Sequence, residues 1–262
     1  MRLTIDGAEF DVRDEGSGPA IVLLHGFPLA KRTWNAQAEA LKSHARVVRF
    51  DLRGLGTTTA TPGPYLMEQV AGDVVEILDA LDIERAVLVG HSLGGYVALA
   101  FFRMFAERCS GLGFVCTSAG ADSPERAAER RELAARVERE GMEPIVESFV
   151  PKYFAPSVYR ERQDLVDAAT ALVRQTVPAG AAAMLRGMAE RVDGSDLFEE
   201  MHVPVGVVAG ARDAMFDLAK PRAIADGVAG AEFDLLDCGH IPLSEAPEAL
   251  TASLERLLAR AS

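Results

Sequence analysis

Short, continuous apolar runs recur along this chain, each ending in turn residues, and few folds can accommodate such a series. The first is Ala20-Ile21-Val22-Leu23-Leu24, which stops at His25-Gly26, and others lie at 46–50, 86–89, 113–116, 203–209 and 233–236. A strand with one wet face alternates apolar and polar residues, so a run without alternation reads as a strand buried on both faces. That burial requires a sheet with helices on each side. Between the runs, segment 67–81 carries Val70, Val74, Ile77, Leu78 and Leu81 at helical spacing, 93–105 is apolar nearly all round, and 244–258 is amphipathic. Strand and helix in alternation predict an α/β protein with a mostly parallel, doubly wound sheet. Weaker alternation from Ile5 to Val12 predicts an opening hairpin around Asp6-Gly7.

The rhythm breaks over 122–202. This segment is rich in Ala, Glu and Arg and is punctuated by Pro144, Pro151, Pro156 and Pro178, with Glu132 and Arg136 four apart in the favourable order. It reads as a helical cap inserted between two strands, leaving 1–121 and 203–262 as the core.

The 262 residues fit one large domain or a core with an insertion, and a hydrophobic content of 49% supplies a sizeable interior. A net charge of −12 argues against nucleic acid or an anionic membrane surface as partner, because no basic tract could neutralise phosphates. No apolar run approaches the roughly 20 residues that span a bilayer. The first residues, MRLTIDGAEFDV, lack the apolar core of a secretory signal, and Cys109, Cys116 and Cys238 form no CxxC pair. The expectation is a cytoplasmic protein with reduced thiols, of open oligomeric state, with Cys238 serving in packing.

Between the predicted strand 86–89 and the predicted helix 93–105 stands Gly90-His91-Ser92-Leu93-Gly94-Gly95. A serine at a sharp strand-to-helix turn, with glycines two before and two after, is the arrangement of a nucleophile elbow. The strained turn lifts the hydroxyl out, and side chains at the flanking positions would collide with strand or helix. A serine needs a general base, and the base needs an orienting acid. Of five histidines only His202 and His240 follow Ser92. His202 precedes its strand and so lies at the wrong edge of the sheet, whereas His240 follows one, which makes His240 the expected base. Asp213, after the strand at 203–209, is the expected acid. Asp217 is a competitor that also suits a helix cap, and Asp122 is a weaker alternative. Oxyanion stabilisation takes two backbone donors, for which the amides of Leu93 and Phe27 are the candidates. His25 is then a structural tie for the loop at 25–28. No His/Asp/Glu cluster has metal-ligand spacing and no glycine-rich phosphate loop is present, so neither metal nor cofactor is expected.

These pieces, HGFP at 25–28, DLRGLG at 51–56, GHSLGG at 90–95, GARD at 210–213 and CGH at 238–240, resemble the α/β-hydrolase superfamily over nearly the whole chain. The resemblance implies the α/β-hydrolase fold and Ser92, Asp213, His240 and the Phe27 and Leu93 amides as the catalytic set. The cap and the stretch 178–191 resemble the carboxylesterase and 3-oxoadipate enol-lactonase group, although Leu55 stands where relatives often carry histidine. HGFP is also similar to the haloperoxidase and perhydrolase branch, where methionine commonly follows the nucleophile and here Leu93 does. The implied function is a serine hydrolase for small carboxylic esters or lactones. Alternatives are enol-lactonase or perhydrolase activity, or a ligand sensor that retains the hydrolase shell.

Substrate contacts are expected from Phe149, Tyr153, Phe154, Met184 and Met188, with core packing at least an equal expectation for each, and from Trp34 as the minority reading beside packing of the first helix. They predict a pocket for small, mostly uncharged acyl groups. Arg174, Arg186 and Arg191 read as solvated, with an inward arginine that holds a substrate carboxylate as the minority reading.

Overall fold

A computed structural model of the chain describes residues 1–261. Strands β1 (Arg2–Ile5) and β2 (Ala8–Asp11) form an antiparallel hairpin. Its turn residues Asp6 and Gly7 have φ of 46° and 76°, the paired positive values that match the twist of a two-residue hairpin. The main sheet contains β3 (Arg13–Gly16), β4 (Ala20–Leu24), β5 (Arg46–Arg49), β6 (Ala86–His91), β7 (Cys109–Val115), β8 (Val205–Gly210) and β9 (Glu232–Leu236). Their order is β3-β5-β4-β6-β7-β8-β9, and every pairing is parallel except β3 with β5.

The central strands β4 and β6 are buried almost throughout, as their unbroken apolar runs require. Strand β3, Arg-Asp-Glu-Gly, has no apolar signal at all. It exists because it pairs with β5, where Arg46 meets Asp14 at 2.8 Å and Arg49 meets Glu15 at 2.7 Å. A charged edge of this kind also discourages pairing with another chain. Strand β7 begins four residues before the predicted run, because Ser110 and Gly111 break its apolar pattern while pairing with β6 continues past a register shift between Ala86 and Val87. The closing helix predicted over 244–258 is two pieces, Pro242–Glu245 and Pro247–Ala261. Ala246, which precedes a proline, takes φ −138° and ψ 54°, off the helical region that Pro247 disfavours for it.

Between β7 and β8 the chain forms the helices Pro124–Glu140, Glu143–Phe149, Val158–Glu161, Gln163–Gln175 and Pro178–Ala189. Ser123 opens the first by accepting the Arg126 amide at 3.2 Å, with Pro124 in the first turn, where its missing N–H costs nothing. Arg136 pairs forward with Glu140 at 3.1 Å rather than back to Glu132. Arg53, in the loop after β5, is buried and donates to Asp73 of the helix Met67–Ala80 at 2.9 Å, which ties that loop to the sheet's helical layer. Leu55 in the same loop is fully buried. Among the described residues no helix is long and apolar enough to cross a membrane.

Candidate active site

Strand β6 ends in the elbow. Ser92 has φ 51° and ψ −112°, a conformation that a serine adopts at a cost of about 1–3 kcal/mol and only where its surroundings enforce it. Here they do. The Ser92 amide donates to Val115 O at 2.9 Å, and Ser92 O accepts from the Gly95 amide at 2.9 Å and from Thr117 Oγ1 at 2.7 Å. A Cβ on Gly90 would lie 2.1 Å from Gly94 O, so the strand and the helix Leu93–Phe105 meet too closely for a side chain. Leu93 is the first residue of that helix, where amides lack intrahelical acceptors and the helix dipole favours negative charge. Among the described residues neither the Leu93 nor the Phe27 amide has a backbone acceptor.

His240 and Asp213 arrive from β9 and β8, which lie beyond β7 in the sheet. His240 follows β9 and is 2% exposed, and its Nδ1–H donates to Asp213 Oδ2 at 2.8 Å. Asp213 follows β8, and its other oxygen accepts the Met215 and Phe216 amides at 2.7 and 3.1 Å. Burial works to raise the Asp213 pKa, yet the neighbouring His240 and these hydrogen bonds together hold the carboxyl below its usual value. The acceptor carboxylate takes up Nδ1 and leaves Nε2 as the ring nitrogen free of Asp213. The Ser92 hydroxyl makes no hydrogen bond among the described residues, so the structure pairs Asp213 with His240 and leaves a Ser92–His240 hydrogen bond unformed. Catalytic contacts in a ligand-free enzyme are often long.

The other candidates have different employment. Asp217 Oδ1 accepts the Ala219 amide at 2.8 Å at the start of the helix Ala219–Gly227. Asp122 is held between Arg130 and Arg191, at 2.5 and 2.7 Å. His202 precedes β8, at the opposite end of that strand from Asp213. His25 donates from Nδ1 to Gly26 O and accepts the Leu52 amide at Nε2, both at 2.9 Å, joining the loops after β4 and β5. Cys116, Asp213 and His240 offer atoms within 4.8 Å of one another. Two of those three are already spent on each other, and burial pushes the Cys116 thiol well above its usual pKa, toward the protonated form that ligates metal poorly. Burial likewise pushes Cys238 up to about 12.

Ser92 opens into a cavity of about 380 Å³. Phe27, Phe149 and Met188 line it, as does Tyr96, which the sequence did not suggest. Trp34, Phe154 and Met184 do not. Trp34 is fully buried in the core at the end of the short helix Lys31–Trp34, and Met184 is fully buried one turn before Met188 on the same helix. Phe154 faces a separate cleft bordered by Leu165, Leu172 and Ile241.

The expected uncharged pocket is not found. Five cationic side chains, Arg126, Arg130, Lys152, Arg191 and Lys220, line the cavity against two carboxylates, Asp122 and Asp217. The local field is thus positive in a chain of net charge −12. Arg174 and Arg186 are paired outward with Glu143 and Glu138, as solvated helix faces should be. Arg191 is turned inward. It is 8% exposed, lies 4.1 Å over the Tyr96 ring, and donates to Gly120 O at 2.8 Å, while its Nε has no partner among the described residues. The spacing of Arg126 and Arg130, one turn apart on a helix that starts just past the carboxyl edge of β7, was the available signal for this cluster.

Residues 21–253 match the model of the alpha/beta hydrolase family, and the chain belongs to that family. It is 25% identical over 242 residues to 3-oxoadipate enol-lactonase 2 of Acinetobacter baylyi, covering 92% of this chain and 89% of that one. Among solved structures it resembles a thermophilic esterase from Thermogutta terrifontis, determined with malate bound, at 35% identity and a TM-score of 0.97, covering 100% of this chain and 99% of that one. It also resembles the enol-lactonase from Burkholderia xenovorans LB400, at 29% identity and a TM-score of 0.92, covering 99% and 100%.

Proposed function

We propose that this α/β hydrolase is a serine hydrolase that cleaves carboxylic esters or lactones through an acyl-enzyme. The observation that carries the reading is the 2.8 Å bond from His240 Nδ1 to Asp213, which orients the imidazole on the carboxyl edge of the sheet where Ser92 opens into the cavity. Ser92 Oγ attacks the carbonyl carbon as His240 Nε2 takes its proton. The oxyanion is stabilised by the amides of Phe27 and Leu93, and His240 returns the proton to the leaving alkoxide. Water, activated by the same nitrogen, then hydrolyses the acyl-Ser92 ester. For a lactone the leaving alkoxide stays attached to the acyl group, and the product is a single hydroxy acid or its keto tautomer.

Labelling with a fluorophosphonate tests this directly. One adduct on Ser92 of the folded protein, absent from Ser92→Ala, is expected together with loss of esterase activity. A folded protein that hydrolyses nitrophenyl acetate yet takes no label at Ser92 would remove the reading.

A second reading concerns the substrate. The five cations and the unpartnered Arg191 Nε favour an ester or lactone that carries a free carboxylate, over the neutral esters expected from an apolar cap. Two arginines on one aspartate leave a net positive charge in a partly desolvated site, where a substrate anion is worth more than it would be in water. The similarity to enol-lactonases runs in the same direction.

A further inference from the structure

The cap segment Tyr153-Phe154-Ala155 bonds both the loop that carries His240 and the loop that carries Phe27. We propose that Tyr153 is a positioning residue for the hydrolytic step, one that holds Phe27 and the His240 loop in mutual register so that the seating of the cap sets the rate. The proposal rests on the serine-hydrolase reading above.

Tyr153 is 1% exposed. Its carbonyl accepts two successive amides of the base loop, His240 N at 2.8 Å and Ile241 N at 3.2 Å. Its hydroxyl donates to Phe27 O at 3.2 Å, and its ring lies nearly parallel to the His240 imidazole, 17° between planes at 6.5 Å. One cap residue thereby grips the main chain of the base and the main chain of the residue whose amide faces the oxyanion. A phenol is costly to bury unless its hydroxyl is bonded, and a phenylalanine would fill the same space, so the hydroxyl at this position points to its bond with Phe27.

A second latch holds the segment from below. Glu245 Oε2 accepts the Ala155 amide at 2.9 Å while Oε1 accepts the Gly239 amide at 3.0 Å. The two chains lie so close that a Cβ on Gly239 would come within 2.5 Å of Ala155 N. Phe27, in turn, packs edge-on against Phe149 at 5.7 Å, and Phe149 against Tyr153 at 6.5 Å. The Phe27 N–H lies in the peptide shared with Gly26, whose carbonyl accepts the Leu29 amide and His25 Nδ1, both at 2.9 Å, while Tyr153 holds the next peptide, so Phe27 is fixed on both sides of its Cα. Loosening the Phe27 carbonyl should act on the transition state, where the oxyanion exists, and leave ground-state binding nearly alone.

Tyr153→Phe keeps the ring and every main-chain bond and removes only the hydroxyl. Losing an oxyanion donor outright costs about 10²–10³ in kcat, so slackening one should cost less, about five- to tenfold. The expected result is that fall in kcat on a nitrophenyl ester, KM within twofold, an equally slowed phosphonylation of Ser92, and an unchanged melting temperature. Glu245→Gln, which replaces one of the two acceptor oxygens by a donor, should reproduce the pattern from the other side of the segment, and it serves alone if Tyr153→Phe melts early. A kcat within twofold of the natural protein, or a change in KM alone, would overturn the proposal. Failure of Ser92 to take the label in the natural protein would instead remove the reading beneath it, so the two failures are distinguishable.

Discussion

His91 Nε2–H donates to the main-chain carbonyl of His240 at 2.8 Å, so the residue before Ser92 holds the backbone of His240. His91 is fully buried, and its Nδ1 has no partner among the described residues. Burial first, and then the neighbouring His240, lower its pKa from 6.5 to about 3.

That shift predicts an acid-sensitive fold. The unfolded chain takes a proton on His91 near pH 6.5, and the folded chain refuses it until about pH 3. The unfolded state therefore binds more protons across this window, and stability is fully present above it and falls as the pH drops through it. The loss amounts to on the order of 4–5 kcal/mol from this group. His25, buried and shifted in the same direction, adds to it. His91→Gln should retain a donor for His240 O and flatten part of the slope. Urea unfolding at pH 7, 5.5 and 4 measures it, and parallel profiles for the two proteins would contradict the assignment.

Asp213 and Asp217 separate cleanly by substitution. Asp213→Asn should lower kcat by about 10⁴, because the amide favours the wrong tautomer of His240. Asp217→Ala should cost about 1 kcal/mol of stability through the lost Ala219 bond, with kcat changed only a few-fold. Steady-state kinetics beside thermal melts decide the matter, and the reverse pattern would transfer the role of acid to Asp217.

The basic cavity predicts a charge preference. With a pair of esters of equal length, one ending in a methyl group and one in a carboxylate, kcat/KM should favour the anion. Succinate should inhibit competitively, and raised salt should weaken that inhibition. Arg191→Gln should lower kcat/KM for the anionic ester by about 10-fold or more while altering the neutral one far less. Equal losses on both substrates would assign Arg191 to cap structure alone.

The buried Arg53–Asp73 pair predicts a stability effect remote from the site. Arg53→Met strands a carboxylate in the interior and should cost about 3–5 kcal/mol. The double change Arg53→Met with Asp73→Leu should recover much of that loss. A calorimetric melt of the three proteins checks it, and equal melting of single and double variants would show that the pair is not coupled.

The core sheet was legible in the chain because burial on both faces leaves an unbroken apolar run, as at Ala20–Leu24, and such a run depends only on local composition. The elbow was legible for a related reason, since a backbone turn as tight as Gly90 to Gly94 demands particular residues at fixed spacing. Strand β3 was not legible, because Arg13–Gly16 owes its conformation to a partner strand some thirty residues away. The same limit governs the cavity. Arg130 and Arg191 look in sequence like Arg174 and Arg186, yet the first two meet at Asp122 beside Ser92 and the others face solvent. Helical periodicity records which residues share a face, and how the cap helices are turned upon the core is settled only when the two surfaces pack. Met184 was drawn inward by that packing, Trp34 was buried within the core, and five cations were left around the cavity that Ser92 enters. The turn that presents Ser92 is thus written in a short stretch of chain, whereas the charge that surrounds it arises from contacts between segments that no local pattern connects.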